Sequence, residues 1–141
     1  HEVLGVSEGL PHVHGVAEHP GGLYYYFSNE MHEAIDIVDT RTLEVVDHIP
    51  LSGRPNNISM SREIRKLYVG IRGGGPYTDV IDIDTHEVIR TIRMHRGVHN
   101  IYVTDDERWA VASLAPGPDN PEWQMLASWV RGELTGSTCP G

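Results

Sequence analysis

Nine histidines in 141 residues, against one phenylalanine, pose the first chemical question, because imidazole is the commonest metal ligand and titrates nearest neutral pH. His12-Val13-His14 is the sharpest arrangement. On a strand, residues i and i+2 point the same way, so both imidazoles would face one ion. Two imidazole nitrogens at ~2.0–2.1 Å suit zinc or copper, and a third ligand would come from His99, His95, His32 or a carboxylate such as Glu30 or Glu33. In a catalytic version of that site, Glu30, Glu33 or His32 moves protons beside the metal. The plainer reading is that His14 fills a recurrent polar position and hydrogen-bonds a neighbouring segment.

Other chemistries find less support. Arg72-Gly73-Gly74-Gly75 has no Lys-Ser/Thr pair and no helix after it to cradle a phosphate, so it reads as a loop. There is no Gly-x-Ser-x-Gly elbow, and the lone Cys139 has no local activating group. A single cysteine also excludes an internal disulfide framework and any multi-cysteine zinc site. Eleven basic against 20 acidic side chains give a net charge of −9, which argues against nucleic acid as a partner. No run approaches the ~18 apolar residues of a membrane span. Tyr24-Tyr25-Tyr26 alternates between two faces of a strand and reads as packing. Asp36, Asp39, Asp82 and Asp84 recur and are expected to bond turn N–H groups.

The elements that must position these residues recur with a period. His14, Asn57 and Asn100 are spaced by 43 residues, and each is followed about ten residues later by an apolar run. Ala34 to Thr40 answers Val80 to Thr85, with two residues gained in the Gly73-Gly74-Gly75-Pro76 loop and two lost after Thr85. Each unit holds four short runs rich in Val, Ile and Tyr, too closely spaced by turns for helices. A period of ~40–45 residues with four strands is the arithmetic of a propeller blade. The expected fold is therefore all-β: one partial β-propeller domain over 1–141, with four antiparallel strands per blade. Blade 1 covers about 12–52, blade 2 about 53–95, an incomplete blade 3 about 96–131, and a loose tail 132–141. Trp123, Leu126 and Val130 also fit one face of a helix, but a strand is preferred for that segment.

Arg54-Pro55-Asn56-Asn57-Ile58-Ser59-Met60-Ser61, Lys66-Leu67-Tyr68-Val69 and Val80-Ile81-Asp82-Ile83-Asp84-Thr85 together resemble the YVTN-type β-propeller repeat, over about residues 12–113. Arg62-Glu63-Ile64 departs from it where the repeat has Pro-Asp-Gly. The resemblance implies relatives among surface proteins, lactonase-like enzymes and metal- or haem-dependent redox proteins, and an extracytoplasmic location.

In a propeller, strands run inward and outward alternately, which puts His12, His14, His32, His95 and His99 on one face and His19, His48 and His86 on the other face or the outer edge. The repeat makes Asn57 and Asn100 the counterparts of His14, hence candidate cofactor-binding positions around the same axis. The expected function is a binding module whose histidine-rich face holds a divalent metal or a small polar molecule. The alternatives are a metal-dependent enzyme, either a lactonase-like hydrolase or a copper-type oxidoreductase, and a structural fragment of a surface propeller. Open blade faces would pair copies into a homo-oligomer.

Overall fold

The structure of the protein is a computed structural model that describes residues 1–3, 5–115 and 123–127, the last of these by backbone alone. The first sheet has the order β1 (Val13–Glu18), β2 (Tyr24–Asn29), β3 (Ala34–Asp39), β4 (Val45–Pro50). The second runs β5 (Arg54–Ser61), β6 (Lys66–Gly73), β7 (Tyr77–Asp82), β8 (Glu87–Arg93). The third comprises β9 (Val98–Val103), β10 (Trp109–Leu114) and β11 (Trp123–Ala127), with β10 in the middle. All neighbours are antiparallel, and no helix occurs among the described residues. The all-β expectation of two four-stranded blades and a partial third holds. The expected tail 132–141, with Cys139, and the end of the third blade at 128–131 lie outside the described residues.

Strand alternation gives each sheet two faces, and the sequence makes both apolar. Tyr26, Ile35, Ile37 and Ile49 of blade 1 form one buried cluster with Leu67, Val69, Ile71 and Ile81 of blade 2. Tyr68, Val80 and Met94, from the opposite side of blade 2, pack on Val98, Ile101, Ala110 and Ala112 of blade 3. The first strands lie innermost, β1 against β5 and β5 against β9. Gly70 on β6 lets β9 approach it closely: a Cβ there would stand 2.7 Å from Val98 Cγ1.

The hydrogen-bonding register corrects the repeat read from residue types. The Gly15 N–H donates to Ser28 Oγ (2.8 Å) as the Asn100 N–H donates to Ser113 Oγ (3.2 Å), so Gly15, not His14, is the counterpart of Asn100. Ala17 pairs with Tyr26 as Ser59 pairs with Tyr68, one residue short of the 43 spacing. The outer strands do keep the full period. Asp39 Oδ1 accepts the N–H groups of Arg41 and Thr42 just as Asp82 Oδ1 accepts those of Asp84 and Thr85. One residue, not two, is therefore gained in the glycine loop after β6, and none is lost after Thr85.

Tyr26 and Tyr68 occupy equivalent positions and share a cost. Both are buried, both hydroxyls lack a hydrogen-bond partner, and burial pushes both phenols up to about 12. An unsatisfied buried hydroxyl costs ~1–3 kcal/mol, so Tyr68→Phe should raise the free energy of unfolding by about 1 kcal/mol. Ile81→Ala, which opens a cavity in the first cluster, should lower it by ~2–5 kcal/mol. Urea midpoints measure both, and a Tyr68→Phe protein less stable than its parent would contradict the first.

Candidate metal centre

The β2–β3 loop is built by one buried side chain. Asn29 Oδ1 accepts the N–H groups of Met31 and His32 (3.1 Å each), and Glu33 closes the turn with φ 48°. The same Asn29 donates through Nδ2 to Asp36 Oδ2 at 2.7 Å. Asp36 lies on β3 directly opposite His48 on β4, and its side chain is fully buried. His48 Nδ1 stands 2.6 Å from Asp36 Oδ1, and His32 Nδ1 stands 3.1 Å from Asp36 Oδ2. The two rings meet edge to face with centroids 5.7 Å apart.

One ligand atom from each of His32, Asp36 and His48 falls within 4.8 Å of the others, the one such group of histidine, cysteine or carboxylate side chains among the described residues. Around a tetrahedral ion with ligands at ~2.0–2.1 Å, ligand atoms stand ~3.3 Å apart. The His32 contacts need almost no change to reach that spacing, whereas the His48 contact must open by ~0.7 Å on the same geometry. Asp36 is anchored from the protein side by Asn29, and the imidazoles are the exposed members. They border a cleft of about 500 Å³, lined also by Glu8, Leu43, Glu44 and Val45.

The other expected residues are placed differently. His12 has a left-handed φ of 53° and precedes β1, so strand alternation does not extend over His12-Val13-His14. The β1–β2 register is also irregular between Val13 and Val16. His14 Nε2 instead meets Glu30 Oε2 at 2.8 Å, with Arg54 3.9 Å from the same carboxylate. The His14 hydrogen bond, with Arg54 and Arg72 nearby, holds the Glu30 carboxyl below its usual range. The Glu33 carbonyl accepts the Leu51 N–H at 2.9 Å while its side chain is exposed. Asn57 Oδ1 accepts the Ile101 N–H at 3.3 Å, tying β5 to β9, and Asn100 is half-buried beside Ser113. His95 and His99 are exposed. Of the expected ligands and catalytic groups, only His32 belongs to the close cluster; His12, His14, His95 and His99 are outside it.

Sequence reading missed Asp36 and His48. Asp36 was expected to bond turn amides like Asp39 and Asp82, but it points into the sheet, and Asp84 instead pairs with Arg65. A signal was present, since Asp79 and Thr91 stand 43 residues beyond Asp36 and His48 and also bond to each other, Thr91 Oγ1 donating to Asp79 Oδ1 at 2.6 Å.

These sheets, stacked through their faces with first strands innermost, are blades of a β-propeller. The chain belongs to the YNCE-like beta-propeller family, whose model matches residues 17–108. No curated protein matches it. Among solved structures it is similar to Kuenenia stuttgartiensis hydrazine synthase, with TM-score 0.74 and 20% identity, covering 90% of this chain and 36% of that one. It is also similar to the Myceliophteria thermophila Cps50 (Swd1) beta-propeller domain, with TM-score 0.66 and 17% identity, covering 82% of this chain and 35% of that one. The chain thus spans about a third of either structure, and at these identities the likeness concerns fold.

At the opposite face, His19 is buried against Tyr24 and Tyr26, and its Nδ1 accepts the Gly21 N–H at 3.0 Å. Desolvation, and then the Arg65 guanidinium, push its pKa below the ordinary 6.5. The folded state therefore binds fewer protons than the unfolded state. Stability from this group is complete above the unfolded value and is lost as pH falls from ~6.5 toward the lower folded value. The lowered carboxylates, such as Asp39 and Asp82, act only below about 4.5. The melting temperature should accordingly decline between pH 6.5 and 5, and His19→Gln should flatten that decline; an unaltered slope would assign it elsewhere.

Proposed function

We propose that the protein is a β-propeller binding module in which His32, Asp36 and His48 hold a divalent metal ion, zinc or copper, at the outer edge of blade 1. The observation that carries this reading is a fully buried carboxylate flanked by two exposed imidazoles with all three ligand atoms within 4.8 Å. Two nitrogens and one oxygen suit these borderline metals better than calcium or magnesium, which prefer oxygen alone. Three protein ligands leave room for water or a small polar molecule entering from the cleft, as in sites with an open coordination position.

The comparison between blades supports the assignment. Blade 2 keeps the buried aspartate as Asp79 but sets Thr91 where blade 1 has His48, and its Gly73–Gly75 loop carries no histidine to match His32. A strand-to-strand strut needs only the threonine. The two imidazoles have no counterpart in blade 2, and both meet the same buried carboxylate. The finer likeness to YVTN-type repeats, carried by residues 54–69 and 80–85, supports an extracytoplasmic setting for such a module.

Calorimetric titration of the metal-stripped chain with zinc should show one site. The double variant His32→Ala with His48→Ala should lose affinity by more than the ~10–100-fold typical of an outer-shell change, while His12→Ala with His14→Ala should bind as the parent does. Binding should weaken on acidification, because protons compete for the same nitrogens. Circular dichroism controls for folding, and unchanged zinc stoichiometry in the folded His32/His48 variant would refute the site.

A further inference from the structure

Asn29 is a polar side chain at a place where the other two blades are apolar. It ends β2 opposite Val13, as Ile71 stands opposite Pro55 in blade 2 and Leu114 opposite Val98 in blade 3. All three side chains are buried. Ile71 packs in the cluster shared by blades 1 and 2, and Leu114 in the cluster shared by blades 2 and 3. A blade can therefore be closed at this position by an aliphatic side chain, whereas a buried amide is costly unless its groups are bonded. Nor does a buried aspartate require the amide. Blade 2 keeps Asp79 beside Ile71 and satisfies it with the Thr91 hydroxyl and the Ser52 N–H instead.

Among the described residues, the hydrogen bonds of Asn29 all serve the His32–Asp36–His48 group. Its Oδ1 accepts the N–H groups of Met31 and His32, which fixes the turn that carries the His32 ring. Its Nδ2 donates to Asp36 Oδ2 at 2.7 Å. The two oxygens of Asp36 are thereby made unequal. Oδ2 faces the positive end of an N–H dipole, while Oδ1 has His48 Nδ1 at 2.6 Å and His32 Nδ1 at 3.2 Å. A cation gripping both oxygens has to crowd that N–H; a cation on Oδ1 alone avoids it and meets both imidazoles.

We infer that Asn29 is a positioning residue that sets metal choice: it commits Asp36 Oδ2 to the protein, presents Oδ1 as a single oxygen ligand, and holds His32 in place to join it. This rests on the metal reading of the site given above. One oxygen beside two imidazole nitrogens suits a four-coordinate zinc ion or copper. Manganese and calcium favour oxygen ligands, and calcium takes six to eight of them, with carboxylates often bound through both oxygens. An amide that withholds the second oxygen therefore discriminates against the oxygen-seeking ions without touching the metal itself, as outer-shell partners of ligands do.

Calorimetric titration of the full chain with zinc and with manganese tests the role in two variants, with circular dichroism as the folding control. Asn29→Asp keeps an oxygen for the Met31 and His32 amides but offers no N–H to Asp36, so the ratio of zinc to manganese affinity should fall by about tenfold or more. Asn29→Ile installs the residue type that blade 2 carries here, and zinc should bind ~10–100-fold more weakly. On the parent, infrared difference spectra upon zinc addition should show the wide splitting of the carboxylate stretches that one-oxygen ligation gives. A purely structural asparagine would leave the zinc-to-manganese ratio and this splitting where they are. Zinc held through both carboxylate oxygens in the parent, a folded Asn29→Asp chain with the parent's ratio, or a folded Asn29→Ile chain with the parent's zinc affinity overturns the role of Asn29 and leaves the metal site standing. A parent that takes up no zinc refutes the metal site, and the role of Asn29 with it.

Discussion

Each blade of this repeat has two apolar faces, and neither can be left to water cheaply. Alternation sends Ile35 and Ile37 toward the next blade and Ala34 and Val38 the other way, all at no more than 4% exposure. At ~25 cal/mol per Å² of apolar surface, burying one such face outweighs any single hydrogen bond in the sheet. The array therefore holds together by stacking, and the cross-blade hydrogen bonds refine that stacking. Asn57 Oδ1 and Ser59 Oγ each accept an N–H of β9, and Glu107 of blade 3 reaches back to Ser61 and to the backbone of Arg62 and Glu63. Each tie joins a blade to its neighbour through groups that would otherwise lose water without compensation.

A carboxylate placed in such a stack has to be answered where it stands. Blade 2 answers Asp79 with a hydroxyl from β8 and an amide from the connector, a closed arrangement with nothing left to bind. Blade 1 answers Asp36 with Asn29 and two imidazoles, and imidazole differs from a hydroxyl in having a nitrogen that takes either a proton or a metal ion. The cluster is thus an elaboration of a structural position: the aspartate is common to blades 1 and 2, and in blade 1 two histidines stand where blade 2 has a strut.

The fold was legible because it rests on patterns that survive in one dimension. The runs Tyr24–Phe27, Ala34–Val38 and Leu67–Ile71 announce strands by composition, and their spacing announces blades. The register was less legible, since matching His14 to Asn57 and Asn100 by type conceals the one-residue change that the Gly15–Ser28 and Asn100–Ser113 bonds expose. The site was hidden for a related reason. His12-Val13-His14 is conspicuous because its members are adjacent, yet a left-handed residue before β1 breaks the alternation on which the motif depends. Asp36 and His48 are twelve apart and meet only through cross-strand pairing with an irregularity between Ile37 and Val38, a relation that no local pattern displays.

Position within the blade also sets the electrostatic surroundings of the cluster. On the inner side of the blades, Glu30 is already met by His14 at 2.8 Å and by Arg54 at 3.9 Å. At the outer edge the neighbours are the β3–β4 turn and the segment before β1, whose Glu8 and Glu44 add negative charge beside the cleft. With a chain charge of −9 behind them, these carboxylates draw cations toward the cleft and repel free anions.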